Sequence, residues 1–93
     1  MVHLLALPGA PNYKGNFSDI YQTAVDEAII LQKAGVNGLI VENFSDEPFL
    51  TSTPDPLQTA FIAGIVRDIR NSVSLPLGVN VQFNNWQSEM AIA

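Results

Sequence analysis

The sequence contains no cysteine, so neither a disulfide framework nor a thiolate metal site can form. Positive charge is also scarce: four Lys and Arg stand against nine Asp and Glu, which gives a net charge of −5. The four basic residues are scattered along the chain and form no patch. This balance argues against nucleic acid as a partner.

Long apolar runs are missing too. None approaches the roughly 18 residues that a membrane span requires, so no transmembrane segment is predicted. The start, MVHLLALPG, has neither the positive region nor the cleavage site of a secretory signal. The simplest prediction is a soluble, cytoplasmic chain. Its 93 residues, 47% of them hydrophobic, fit one small globular domain.

What the sequence does contain is a regular alternation of short apolar runs and helical periodicity. Strands are predicted near residues 2–7, 38–42 and 77–82, and helices near 18–34, 55–73 and 85–93. In the first helix, Ser18 is the predicted N-cap and Gly35 the C-terminal cap. Its predicted buried stripe consists of Ile20, Ala24, Ala28 and Leu31.

The second and third helices carry their own start signals. Asp55 followed by Pro56 and Gln58 predicts the start of the second helix. Asn84 or Asn85 is the predicted N-cap of the third. The predicted buried stripe of the second helix repeats at every fourth position: Leu57, Phe61, Ile65, Ile69 and Val73.

The predicted element order is therefore β-α-β-α-β-α, typical of an α/β protein with parallel strands. The first turn, LPGAPNYKGN, lacks the G-x-G-x-x-G pattern of a dinucleotide-binding sheet. We therefore predict the N-terminal three βα units of a (β/α)8 TIM barrel, which usually takes about 250 residues. On this interpretation the domain is incomplete.

Candidate functional residues follow the second and third predicted strands. In barrels, sites are built at the C-terminal ends of the strands, which here carry Glu42, Asn43, Asn80 and, further on, Asn84. Glu42 ends an apolar strand, where an ionised carboxylate needs a cation, hydrogen-bond donors or water. It is predicted to act as a general base or a metal ligand, with a purely structural carboxylate as the alternative.

Asp46 is a second candidate ligand for a divalent metal, although a solvated loop is the simpler interpretation of its position. His3 lies near the beginning of the first predicted strand and is interpreted either as a satisfied interior imidazole or as a substrate-binding group. Asn43, Asn80 and Asn84 are candidates for orienting a substrate, and Asn84 also competes for the role of helix cap.

Three stretches in order resemble a known family. MVHLLALPGAP, AGVNGLIVENFSDEPF and LPLGVNVQFNN are similar to the N-terminal motifs of the BtpA family, and the resemblance covers essentially the whole chain. It implies a ribulose-phosphate-binding type of barrel and a role in biogenesis of photosystem I. The motif positions are His3, Pro8, Gly9, Glu42, Asn43, Asp46, Asn80 and Asn84. The chain departs from the family pattern at Phe83 and Asn85, where the family carries an Arg and an Asp.

Two functions remain open at this point. The family name implies a factor in biogenesis or stability of photosystem I or another membrane protein complex, located peripherally at the membrane. The polar strand ends instead favour an enzyme acting on a small phosphorylated or sugar-like compound, of isomerase, lyase or hydrolase type. A divalent metal is the cofactor that the candidate residues allow, and a homo-oligomer is a further expectation.

Overall fold

The computed structural model describes residues 1–43, 56–81 and 85–93. Strands and helices alternate, so the predicted β-α-β-α-β-α order is confirmed. The elements are β1 (Val2–His3), α1 (Phe17–Lys33), β2 (Leu39–Glu42), α2 (Pro56–Ser72), β3 (Leu77–Asn80) and α3 (Trp86–Ile92).

The strands form one parallel sheet in the order β1-β2-β3. Each helix connects one strand to the next or follows the last one, as in consecutive βα units. The predicted α/β class is confirmed, and the arrangement is consistent with the N-terminal units of a barrel. β2 is the central strand and pairs on both sides.

β1 is shorter than the predicted run at 2–7. It pairs with β2 through Val2 and His3 only, and one further bond runs from the Leu4 amide to the Glu42 carbonyl at 2.9 Å. β2 ends at Glu42, so the chain beyond Leu4 has no more of β2 to pair with. The apolar residues that follow are used for packing instead: Leu7 is fully buried.

The buried stripe of α1 is confirmed at Ile20, Ala24 and Ala28, whereas Leu31 is only partly buried. The predicted cap at Ser18 is wrong: the N-cap is Asn16, two residues earlier, and its side chain makes no cap hydrogen bond. At the other end, Gly35 adopts φ 92°, the left-handed conformation predicted for it.

In α2 the buried face differs from the predicted stripe. The predicted residues Ile65, Ile69 and Val73 are buried. Leu57 is 46% exposed and Phe61 only partly buried, and the buried positions in that part of the helix are Gln58 and Ile62. The reason is geometric. A helix has about 3.6 residues per turn, so a stripe repeated at every fourth position drifts by about 40° per step and leaves the buried face.

The sheet has one covered face and one open face. Val2, Leu39 and Val41 are buried within the core shared with the helices. Side chains alternate between the two faces, and those on the other face include two exposed apolar ones in the described part of the chain: Leu5 is 39% and Ile40 45% accessible. We call this the open face. In a closed barrel it would be the interior.

The 93-residue chain is expected to self-associate. β1 and β3 are both edge strands in the described sheet, and the open face exposes Ile40 and Leu5. Strand edges with unpaired backbone groups and solvent-exposed apolar side chains favour association between copies of the chain. Light scattering after size exclusion should show species heavier than the monomer. A monodisperse, cooperatively unfolding monomer would contradict this expectation.

Helices α1 and α2 approach closely where α2 carries a glycine. A Cβ built on Gly64 would lie 2.5 Å from the Tyr21 hydroxyl and 3.3 Å from its ring. The same ring meets Phe61 edge to face, with centroids 6.2 Å apart. Gly64 is therefore the residue that lets Tyr21 lie across α2.

Gly64→Ala should lower the free energy of unfolding by about 1–2 kcal/mol, because the clash outweighs the better helix propensity of alanine. Adding Tyr21→Phe removes the nearest atom and should recover part of the loss. Urea denaturation at fixed protein concentration measures both. An alanine variant more stable than the parent would show that Tyr21 moves aside without cost.

Candidate functional site

Strand register places three polar side chains in one row. His3 is the partner of Glu42 across β1 and β2, and Glu42 is the partner of Asn80 across β2 and β3. Each is the last residue of its strand. The row therefore lies at the carboxyl edge of the sheet. Glu42 is two residues from Ile40 on β2, so its side chain and those of its two partners lie on the open face with Ile40. We call these residues the polar row.

Glu42 is the centre of the row and contacts both neighbours. The Asn80 amide Nδ2 donates to Glu42 Oε1 at 3.0 Å. His3 Nε2 lies 3.4 Å from Glu42 Oε2 and 2.9 Å from the Met1 sulfur. The His3 side chain is 45% exposed and that of Glu42 22%. The carboxylate is thus held in place yet still reachable from solvent.

The contact with Glu42 also fixes the carboxamide of Asn80. Because a carboxylate only accepts, the amide nitrogen must face Glu42, and the oxygen must point away from it. That oxygen, Oδ1, is buried and has no hydrogen-bond partner in the described ranges. A buried acceptor without a donor costs about 1–3 kcal/mol. Such an atom calls for a specific explanation, and a donor group on a bound ligand is one.

The structure brings together some of the predicted site residues and separates others. Glu42 and Asn80 are in direct contact, as the shared strand edge predicts. Asn43 is different: it is 1% exposed and follows Glu42 directly, so alternation directs it away from the open face. Asp46 and Asn84 lie outside the described residues. The third helix is capped by Asn85, whose side chain accepts from the Ser88 amide at 3.0 Å.

His3 belongs to the site more directly than its place in the sequence indicates. It comes early in the apolar run at 2–7, but it is the last paired residue of β1 and lies level with the end of β2. Register between parallel strands depends on tertiary packing, so the sequence carried no local signal for this placement.

Metal binding is not supported by a complete ligand set. Within residues 1–43, 56–81 and 85–93, no group of three or more His, Asp or Glu side chains could hold a metal ion. The polar row brings together two such side chains, His3 and Glu42. The predicted metal site at Glu42 and Asp46 therefore stays a prediction.

Fold and site together define an α/β protein of consecutive βα units with a polar row at the carboxyl edge of its parallel strands. The chain belongs to the BtpA family, whose profile matches residues 1–93. The predicted family is thereby confirmed. No solved structure matches the chain.

Several curated proteins match along the whole chain. An uncharacterized protein of Thermococcus kodakarensis is 42% identical over 93 residues, which is 100% of this chain and 35% of the relative. An uncharacterized protein of Methanocaldococcus jannaschii is also 42% identical, with the same coverage. The photosystem I biogenesis protein BtpA of Synechocystis is 41% identical over 100% of this chain and 32% of its own length. The chain thus spans about a third of these relatives.

Among the helices in the described part of the chain, none is long and apolar enough to cross a membrane.

Asn80→Asp should destabilise the fold by about 1–2 kcal/mol at pH 7, because it replaces a donor beside Glu42 with a second carboxylate. The matched control is Asn37→Asp, the same chemical change at an exposed position. Urea denaturation of both variants at one protein concentration measures the difference. Equal effects at the two positions would show that the Asn80–Glu42 contact contributes nothing to stability.

Proposed function

We propose that the polar row is the binding and proton-transfer site for a small compound, phosphorylated or sugar-like, in an enzyme of (β/α)8 barrel type. Glu42 is the general base or a metal ligand, and His3 and Asn80 position the compound. The observation that carries this proposal is the contact of Glu42 with both neighbours at the carboxyl edge of a parallel sheet.

The location supports the proposal. In (β/α)8 barrels, catalytic residues come from the ends of several strands at the C-terminal face. The polar row contributes one residue from each of the three described strands. The fold alone implies no chemistry, so the weight rests on the side chains themselves.

The side chains supply the elements of proton transfer. A general base must be reachable by the substrate and held in one geometry. Glu42 is partly exposed and is fixed by Asn80 on one oxygen, with His3 beside the other. Carboxylate, imidazole and carboxamide together can accept a proton, donate one and orient a polar group.

A role in biogenesis of photosystem I, or of another membrane protein complex, is the second proposal. Its support is the name of the Synechocystis relative, which is 41% identical. Relatives from Thermococcus and Methanocaldococcus are equally similar, which favours a biochemical activity shared by all of them. On this proposal the protein works in the cytoplasm at the periphery of a membrane complex, and the activity of the polar row underlies the assembly role.

Glu42→Gln, made in the protein that carries this chain, should lower turnover of its substrate by about 100-fold or more, because it removes a proton acceptor while keeping the shape. Asp19→Asn, an exposed acid in the first turn of α1, is the matched control and should leave turnover unchanged. Circular dichroism checks that both variants fold.

Unchanged turnover in the Glu42 variant would remove this residue from the mechanism. Complementation in a cyanobacterial host tests the second proposal separately. If the Glu42 variant restores photosystem I as well as the parent does, any assembly role is independent of the polar row.

A further inference from the structure

We infer that the polar row binds an uncharged, hydroxyl-bearing part of its ligand, and that a phosphate group does not bind there. This inference rests on the proposed function and narrows it: of the two ligand types, phosphorylated or sugar-like, the row itself takes the polyol portion. Three independent observations support it, concerning hydrogen-bonding capacity, charge and the apolar surroundings.

Hydrogen-bonding capacity favours a donor. A carboxylate accepts at about four lone-pair positions, and Asn80 occupies only one of those on Glu42. The remaining acceptor capacity is on a side chain that is 22% exposed. A hydroxyl group donates to such an oxygen without adding charge, whereas a phosphate brings negative charge, and the dianion of a phosphate ester offers only further acceptors.

The charge distribution disfavours an anion. Of the four basic residues, Lys33 lies in the last turn of α1. Arg67 pairs with its neighbour Asp68, and Arg70 donates to the Leu75 carbonyl ahead of β3. The last turn of α1 and residue 75 both precede the amino ends of strands, opposite the polar row.

The described residues around Glu42 add to this imbalance. Within residues 1–43, 56–81 and 85–93, no lysine or arginine pairs with Glu42, whose neighbours there are Asn80 and His3. A phosphate brought to Glu42 would therefore meet a carboxylate and, in that part of the chain, no arginine placed to bind it with two hydrogen bonds.

The apolar surroundings fit a carbon skeleton. Leu5 and Ile40 share the open face with the row and are 39% and 45% exposed. Beside Ile40, Gly78 contributes no side chain, and a Cβ built there would lie 3.5 Å from Ile40 Cγ1. A polyol presents C–H groups to such a surface while its hydroxyls reach the row. Inorganic phosphate has no apolar part to bury.

The neighbours of Glu42 suit hydroxyl groups for a further reason. A hydroxyl both donates and accepts, and the row offers an acceptor in Glu42 and an imidazole whose role depends on its tautomer. A sugar hydroxyl can therefore donate to Glu42 beside His3, whose Nε2 lies 3.4 Å from Glu42 Oε2.

The test uses D-ribose and inorganic phosphate as probes, with the protein that carries this chain. Ligand-observed NMR titration should show D-ribose binding that weakens about tenfold, or about 1.4 kcal/mol, in Glu42→Gln, since the hydroxyl then donates to a neutral acceptor. Asn80→Ala should also weaken D-ribose binding. Asp19→Asn should leave it unchanged, and phosphate should not compete with D-ribose.

Competition by phosphate would overturn the inference. D-Ribose binding that is absent, or indifferent to both Glu42→Gln and Asn80→Ala, would also overturn it. In that case a turnover still lost in Glu42→Gln leaves the proposed function standing, whereas turnover indifferent to Glu42→Gln removes both.

Discussion

The register of the central strand is the constraint on which the rest of the site depends. Glu42 pairs through its strand position with His3 on one side and Asn80 on the other. Its backbone carbonyl accepts from Leu4 while its side chain accepts from Asn80. One residue therefore takes part in both the sheet and the polar row. A shift of one position would turn Glu42 toward the core and replace it on the open face with an apolar neighbour.

The sheet's two faces have separate duties. Helices α1 and α2 pack on the face that carries Val2 and Val41, and this burial provides most of the stabilisation. The open face is left for polar groups that would be costly inside that core. Asn80 illustrates that cost, because its buried Oδ1 has no hydrogen-bond donor in the described part of the chain. The core carries the stability, and the opposite face is the one on which the proposed function places binding.

Element type and order could be predicted from the sequence because they follow from local periodicity: the stripe of Ile20, Ala24 and Ala28 is an example. Glu42 and Asn80 could also be predicted as neighbours, since parallel strands end at a common edge. Details set by tertiary packing were missed. The N-cap of α1 is Asn16 rather than the predicted Ser18. The buried face of α2 does not include Leu57, which was predicted to lie on it. The position of His3 depended on interstrand register, which has no local signal.

Glu42 and Asn80 are separated by 38 residues along the chain, and a similar distance separates Glu42 from His3. During synthesis the carboxylate emerges long before its amide partner, so the contact forms only after α2 has crossed over the sheet and delivered β3. Synthesis, at about 5–20 residues per second, is slow compared with both helix formation and loop closure. The whole of α1 has therefore left the ribosome well before the three residues of the polar row can meet.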